Sequence, residues 1–260
     1  MNPECFQAVH EPAEVSRVKA ANRRFYDAVA ERYEEVDGRR SEALCRWLRQ
    51  RLRELRSEAP GGRLLDLGTG SGLVMRCSAG IFERRVGMDI SPRILAANRA
   101  AFDLCLAGDV EHLPFRDASF DVVTCFAVLH HLYDFQSILL EVANVLRPGG
   151  VFYSDHDMDA AFYHRFRTCL RIYRWACRSG KRYRHAVPAI TEELYEATEC
   201  HGAGVPSEKI ESFLSGAGLS VECRFHWYGL SPLTDFLFGR SEYRRGWAPL
   251  LSIQARKAVK

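Results

Sequence analysis

A glycine-rich loop follows an apolar segment in the first third of the chain, in the sequence LLDLGTGSG (Leu64–Gly72). Glycine lets a backbone approach a ligand closely, and such loops lie where the strands of an open α/β sheet end and helices begin. Asp66, Asp89 and Asp109 each stand at the end of a predicted strand, so they would reach the same edge of that sheet. Each acid alone could be a helix cap or turn residue. Together they predict a ligand pocket that carries negative charge.

The spacing of the loop distinguishes two classes of ligand. A dinucleotide-binding fold needs G-x-G-x-x-G, whose third glycine would fall at position 73, where this chain has Leu73. A pyrophosphate would also approach Asp66, and like charges repel each other. S-adenosylmethionine carries no phosphate and bears a sulfonium and an ammonium cation, so the carboxylate favours this ligand. A nicotinamide dehydrogenase is therefore the least favoured of the functions considered.

The elements that would position these residues alternate along the chain. Helices are predicted over residues 14–57, where leucines recur at spacings of four and three. Five strands separated by helices follow, namely RLLDLG, RRVGMDI, DLCLAGD, FDVVTCFAV and VFYSDH. The segments LSVECRFHWYGL and PLLSIQARKAV predict two late strands, forming an antiparallel pair. This order predicts an α/β fold with a doubly wound parallel sheet.

Length and composition set the wider limits. The chain of 260 residues can bury one substantial core, and its 36 basic and 33 acidic side chains give a formal charge of +3. No apolar run approaches the ~18 residues of a membrane span, and the polar N-terminal segment predicts no signal peptide. The nine cysteines form an odd set without a CxxC pair, which predicts reduced thiols and a cytoplasmic location.

Four segments together resemble the class I S-adenosylmethionine-dependent methyltransferases, in the ubiquinone/menaquinone methyltransferase-like branch (methyltransferase type 11 domain). They are LLDLGTGSG, GMDIS, AGDVEHLPFRDASFDVVTCFAVLHHL and VLRPGG, within about residues 60–155. The upstream FYDAVAERYEEV is similar to the helix that closes over the cofactor in this branch. The resemblance implies a Rossmann-like, seven-stranded sheet with six parallel strands, an antiparallel last strand and an added helical cap.

The resemblance also implies a division of the chain into four parts. Residues 1–60 would form a helical cofactor lid, 61–157 the cofactor-binding core, 158–217 a helical substrate cap, and 218–260 the last two strands.

Carried over to this chain, the resemblance assigns roles in binding S-adenosylmethionine, whose product is S-adenosylhomocysteine. Asp66 and the glycine loop would hold the methionine portion, and Asp89 would accept hydrogen bonds from the ribose hydroxyls. Ile90 would pack on the adenine, Asp109 and Val110 would contact its edge, and Phe126 would lie along the cofactor. The full set of predicted cofactor residues is Asp66, Gly68, Thr69, Gly70, Gly72, Asp89, Ile90, Asp109, Val110 and Phe126.

Candidate bases stand where the fourth and fifth strands end. They are His130, His131, Asp155, His156 and Asp157. They could form a carboxylate–imidazole relay, since methyl transfer from a sulfonium needs alignment and, for some acceptors, removal of a proton. The histidine pair could equally be structural, and no metal is predicted. The Asn/Asp-Pro-Pro-Tyr/Phe motif of amide and base-amine methyltransferases is missing, which leaves small-molecule oxygen, carbon, nitrogen or sulfur acceptors.

The segment 162–185 has eight basic residues and no acidic one. The remaining 28 basic and 33 acidic residues leave the rest of the chain with a formal charge of −5. On a helix, Arg167, Arg171, Arg174 and Arg178 share one stripe. The stripe is either a solvated face or a contact for an anionic membrane surface or a phosphate-bearing substrate; nucleic acid is disfavoured because no binding module is recognisable.

Two functions stay open at this point. The first is methyl transfer to a small-molecule acceptor, hydrophobic or anionic. The second is a non-catalytic protein that binds S-adenosylmethionine or S-adenosylhomocysteine as a sensor or structural module. The acceptor and the oligomeric state are not determined by the sequence.

Overall fold

The computed structural model describes residues 12–37, 41–177 and 181–259. Its strands are β1 (Arg63–Leu67), β2 (Arg84–Asp89), β3 (Leu104–Ala107), β4 (Phe120–Phe126), β5 (Leu146–Met158), β6 (Leu219–His226) and β7 (Leu250–Lys257). They form one seven-stranded sheet in the order β3-β2-β1-β4-β5-β7-β6. The pairs within β1 to β5 are parallel, and β7 is antiparallel to both β5 and β6. The predicted fold class is confirmed.

Helices cover both faces of this sheet and its C-terminal edge. They are α1 (Pro12–Val29), α2 (Tyr33–Asp37), α3 (Glu42–Glu58), α4 (Leu73–Cys77), α5 (Pro92–Ala97), α6 (Phe135–Val145), α7 (Ala160–Cys177), α8 (Lys181–Ala186), α9 (Glu192–Thr198), α10 (Ser207–Gly216) and α11 (Pro232–Phe238). Residues 158–217, predicted to be helical, contain α7 to α10. The four-part division of the chain stays a prediction.

The central strands are buried on both faces because both faces carry apolar side chains. In β1, Leu65 belongs to one core cluster and Leu64 to the other. Val123 and Val122 of β4 divide in the same way, as expected for side chains that alternate across a sheet. A strand with apolar side chains on both faces therefore predicts a parallel sheet covered by helices, which is what forms here.

Local signals set the starts of the helices. Ser41 caps α3 by accepting a hydrogen bond from the Leu44 N–H at 3.1 Å. Ser91 caps α5 in the same way, with proline at the first helical position. The leucines of α3 at the predicted helical spacing are all buried, so this helix packs one apolar face on the core.

Strand β5 is longer than the predicted VFYSDH and is irregular at two points. Its pairing with β4 shifts between Phe120 and Val122, where the segment Arg147–Gly150 bulges out. Its pairing with β7 shifts between Ser154 and Asp157, and at this second bulge His156 adopts a φ of 68°. A bulge redirects side chains next to it, and positive φ is uncommon outside glycine. The bulge thereby orients His156.

The basic helix α7 differs from the regular helix predicted, because its backbone kinks at Phe166 (φ −107°, ψ 19°). Arg167 and Arg171 follow the kink and are exposed. The Arg174 side chain and the whole of Arg178 lie outside the described residues. In the described ranges, no helix has the length and apolar character needed to cross a membrane.

Candidate active site

A cavity opens at the C-terminal ends of β1, β2 and β4, where the strand order reverses direction around β1. Ligands of open α/β sheets bind at this kind of position. One wall, here named the strand-end wall, consists of Asp66, the loop Gly68–Gly70, Asp89, Ile90, Asp109, Val110 and Phe126. All the predicted cofactor residues except Gly72 belong to it.

The glycine loop uses its three glycines for two purposes. Gly68, Gly70 and Gly72 have φ values of 64°, 53° and 84°, which favour glycine. A Cβ on Gly72 would lie 2.8 Å from the Ala101 side chain, so Gly72 packs against the protein and begins α4. A Cβ on Gly70 would meet nothing closer than 4.0 Å. Gly72 is therefore not among the residues that line the cavity, and its predicted contact with the ligand stays a prediction.

Two of the predicted acids are buried in the strand-end wall. The Asp66 Oδ1 accepts a hydrogen bond from the Thr124 hydroxyl at 2.7 Å, and burial raises the pKa of Asp66 to about 7. Asp89 accepts from the Gly70 N–H at 2.8 Å and the Ser91 N–H at 2.9 Å. Burial raises the pKa of Asp89 to about 6 although these N–H groups lower it. Asp89 thus joins the glycine loop to the start of α5.

Asp109 is held by a lysine that the sequence did not indicate. Its Oδ2 accepts a hydrogen bond from Lys19 Nζ at 2.7 Å, and Lys19 also pairs with Glu111. Burial raises the pKa of Asp109, but the contacts with Lys19, together with hydrogen bonds from the Glu111 N–H and His112, outweigh burial and hold the pKa below its usual value. Lys19 comes from α1, so this pair ties the N-terminal helix to the strand-end wall.

The histidine pair also lines the cavity, and the protein sets the tautomer of each ring. His130 Nδ1 lies 2.6 Å from Asp157 Oδ1, and His131 Nδ1 lies 2.7 Å from the Thr198 carbonyl oxygen. Since both oxygens are acceptors, each neutral imidazole carries its proton on Nδ1 and its lone pair on Nε2. His131 Nε2 lies 2.8 Å from the Tyr26 hydroxyl, which donates to it.

A second carboxylate–histidine group lies behind the wall. Asp155 is fully buried and accepts from His156 Nδ1 at 2.8 Å and from His226 Nε2 at 2.9 Å through the same oxygen. Burial raises the pKa of Asp155, but the charges and hydrogen bonds of His226 and His156 outweigh it and lower the pKa well below its usual value. Only His156 of this group reaches the cavity, where its ring stacks on Phe126 at 4.3 Å.

The predicted relay therefore separates into two groups, Asp157–His130 at the cavity and Asp155–His156–His226 largely behind it. Sequence reasoning missed His226, which a strand-end position in CRFHWYGL could have suggested. It also missed Lys19 and Glu199, which reach the cavity from α1 and from the end of α9 and belong to no motif, and it did not single out Tyr26 within FYDAVAERYEEV.

The sheet order, the antiparallel last strand and the acidic glycine-loop cavity define a Rossmann-like methyltransferase fold. Residues 65–154 match the family model described as a methyltransferase domain. The resemblance found in the sequence motifs is thereby confirmed, and the cofactor of this class is S-adenosylmethionine.

Individual relatives agree with this class. The demethylmenaquinone methyltransferase of Mycolicibacterium vanbaalenii is 36% identical over 125 residues, covering 48% of this chain and 55% of the relative. The malonyl-(acyl-carrier protein) O-methyltransferase of Serratia marcescens is 36% identical over 111 residues, covering 42% of this chain and 44% of the relative. A solved methyltransferase structure from Thermotoga maritima shares the fold, with a TM-score of 0.58 and 15% identity over 90% of this chain and 99% of that one. The chain spans about half the length of the curated relatives it matches.

Proposed function

We propose that this protein transfers a methyl group from S-adenosylmethionine to a small-molecule acceptor and forms S-adenosylhomocysteine. The observation that supports it is one cavity that contains both the acidic glycine-loop wall and the oriented histidine pair. Asp66 and Asp89 have no cationic partner among the described residues. Buried carboxylates of this kind fit a ligand that brings cationic groups and hydroxyls to them.

The strand-end wall would bind and orient the cofactor. Asp66 and the backbone of Gly68 and Gly70 would hold its methionine portion, and Asp89 would accept from its ribose hydroxyls. Asp109 would accept from the adenine amine only by sharing its carboxylate with Lys19. Bound S-adenosylmethionine supplies a methyl group already activated by the sulfonium.

The histidine pair that lines the cavity would remove the proton of the acceptor. His130 is the proposed base, because Asp157 holds its Nδ1–H and thereby directs the lone pair to Nε2. Asp157 is a positioning residue, since it acts through the imidazole. His131, held between Thr198 and Tyr26, orders the wall beside it. His156 and Asp155 stay candidates, with His156 the member that could touch a ligand.

Calorimetric titration of the purified protein with S-adenosylmethionine, S-adenosylhomocysteine and NAD tests the cofactor assignment. We expect saturable binding of the first two and no binding of NAD. If the folded protein does not bind S-adenosylhomocysteine, the proposed function is wrong.

Within the part of the chain that the structure describes, no feature of the cavity favours the alternative of a non-catalytic binding protein. An acceptor screen that measures S-adenosylhomocysteine release separates the two functions. Turnover with any acceptor supports the methyltransferase, whereas tight cofactor binding without turnover across amine, hydroxyl, thiol and carbon acceptors would support the alternative.

We also propose that α7 and its surroundings contact an anionic membrane surface. Neither Arg167 nor Arg171 lines the cavity, which favours a surface contact over a phosphate-bearing substrate. Beside the start of α7, Arg165 stacks on the half-exposed Trp247 at 4.6 Å. Exposed apolar side chains with arginines and tryptophan suit a lipid interface.

Co-sedimentation with phosphatidylserine-containing vesicles at low salt tests this contact. We expect binding to these vesicles and little to phosphatidylcholine vesicles, with loss of binding in Arg167→Glu/Arg171→Glu. Arg53→Glu, an exposed charge change on α3, is the control. Equal behaviour of the double variant and the control would contradict the contact. We also propose that the protein is located in the cytoplasm, where it would meet the inner membrane surface. Cell fractionation checks this location.

A further inference from the structure

Aromatic rings from helices form a second wall of the cavity, beside the strand-end wall. This helix wall consists of Phe25 and Tyr26 of α1, Tyr33 of α2, Tyr183 of α8 and Tyr195 of α9. Phe25 is the central ring, with centroid distances of 5.2 Å to Tyr26, 5.4 Å to Tyr183 and 6.1 Å to Tyr195. Tyr33 extends the group, 5.7 Å from Tyr26. Four helices therefore bring five rings to one cavity.

An acidic side chain adjoins these rings. Glu199, at the C-terminal cap of α9, is half-buried and lines the cavity. Its carboxylate lies beside the histidine pair, since ligand atoms of His130, His131 and Glu199 lie within 4.8 Å of one another. Among the described residues, no basic side chain forms an ion pair with Glu199.

The charges of the cavity are unbalanced. Its wall contains the acids Asp66, Asp89, Asp109, Glu111 and Glu199. Lys19 is the one lysine or arginine of the described wall, and it pairs with Asp109 and Glu111. S-adenosylmethionine carries one net positive charge, and the strand-end wall would take it up. The charge of Glu199 is left for the acceptor.

We propose, resting on the proposed function, that the acceptor is a primary or secondary amine, bound as its ammonium ion between Glu199 and the rings of the helix wall. Aromatic faces attract an ammonium ion through their quadrupole, and a nearby carboxylate adds direct attraction. A carboxylate or phosphate acceptor would be repelled by Glu199. A neutral alcohol or quinol would leave that half-buried charge without a partner.

The histidine beside Glu199 completes the chemistry. The ammonium ion gives one proton to Nε2 of His130, while the Nδ1–H of the same ring stays hydrogen-bonded to Asp157. The nitrogen lone pair then forms the bond to the methyl carbon, and the electrons of the breaking carbon–sulfur bond return to sulfur. The products are the N-methylated ammonium ion and S-adenosylhomocysteine, and the imidazolium releases its proton to water. The step balances without an oxidant or a metal ion.

A pair of probes with one shape and two charges tests the cation site. Choline and its neutral carbon isostere, 3,3-dimethylbutan-1-ol, are titrated into protein saturated with S-adenosylhomocysteine. We expect choline to bind about tenfold more tightly than the isostere, because the rings and the carboxylate together attract its positive charge. Equal affinity for the two probes, or no binding of choline, would overturn the inference.

Variants locate the site within the cavity. Glu199→Gln should lower the affinity for choline to about the affinity for the isostere. Glu196→Gln, an exposed change on the same helix, should leave the affinity for choline unchanged. Tyr195→Leu should weaken choline about threefold to tenfold, and Tyr195→Phe should restore most of the affinity because the ring is kept. If Glu199→Gln binds choline like the wild type, the inference is wrong.

Two further arms separate this inference from its competitors. Loss of S-adenosylhomocysteine binding refutes the proposed function itself, whereas retained binding without a choline preference refutes only the amine. A zinc titration that saturates at one site, disappears in Glu199→Gln and excludes choline would assign the carboxylate to a metal ion. Methylation of primary and secondary amines, and of none of their hydroxyl analogues, would complete the support.

Discussion

The two walls of the cavity are built differently. The strand-end wall is fixed by hydrogen bonds between side chain and backbone, such as those from Gly70 and Ser91 to Asp89. The helix wall is held by ring contacts between side chains of separate helices, such as Phe25 with Tyr183 and Tyr195. The first construction holds polar groups at set positions for one ligand. The second depends on the packing of side chains and not on the backbone of the sheet.

The largest expected effect separates chemistry from cofactor binding. His130→Ala should lower kcat by about 10²-fold to 10⁴-fold, the usual contribution of a positioned base. Affinity for S-adenosylhomocysteine should stay nearly unchanged, since the strand-end wall is intact. Steady-state assays and calorimetry check the two quantities, with His164→Ala, an exposed change outside the cavity, as the control.

A His130→Ala enzyme with full kcat would show that the acceptor loses its proton elsewhere. Asp157→Asn sharpens this test, because a positioning residue should alter the pH profile of kcat rather than abolish turnover. An unaltered profile would reduce Asp157 to a structural role.

The next effect concerns the strand-end wall. Asp89→Ala should weaken cofactor binding by about 1.5–3 kcal/mol, because hydrogen bonds to a charged group are lost. The variant also frees the Gly70 N–H, so the loop loses a contact that orders it. Calorimetry on the folded variant checks the affinity, and the exposed Asp117→Ala should match the wild type. Unchanged affinity in Asp89→Ala would remove the ribose assignment.

The buried Asp66 predicts a pH dependence of cofactor binding. Its pKa of about 7 means that the carboxylate of the free protein is largely protonated below that pH. Because a cationic group binds the ionised form, affinity should rise with pH and level off above about pH 7. Below it, affinity should fall by up to about tenfold per pH unit, with Asp89 adding to the fall near its own pKa of about 6.

Titrations with S-adenosylhomocysteine between about pH 5 and about pH 8 measure this dependence, a range that covers both raised pKa values. Asp66→Asn should bind more weakly and lose most of the slope near pH 7. A slope that persists in Asp66→Asn would assign the titration to another group.

The smallest effect compares two glycines of one loop. Gly72→Ala should lower the free energy of unfolding by about 1–2 kcal/mol, because its φ is 84° and the new Cβ would lie 2.8 Å from the Ala101 side chain. Gly70→Ala has room for its Cβ, so its main effect should be weaker cofactor binding. Denaturant unfolding and calorimetry on both variants test the division. Weaker cofactor binding in Gly72→Ala than in Gly70→Ala would contradict it.

The sequence by itself determined the sheet and the strand-end wall. Asp66 and Asp89 lie in the last two positions of β1 and β2, and parallel strands end at one edge, so local order in the chain predicts proximity in space. The tight turn behind β1 likewise needs glycines wherever φ is positive, and the motif displays them. The use of Gly72 could not be predicted, because it depends on Ala101, which belongs to a distant part of the chain.

The tertiary structure alone decided the parts of the cavity that no motif indicates. Glu199, Tyr195 and Lys19 stand on helices whose faces are set by packing against other elements, and helical spacing does not say which neighbour a side chain meets. The bulge in β5 sends His156 to the cavity and keeps Asp155 behind it, although the two are adjacent in the chain. Long-range packing, and no local pattern, selects which of these polar groups can touch a ligand.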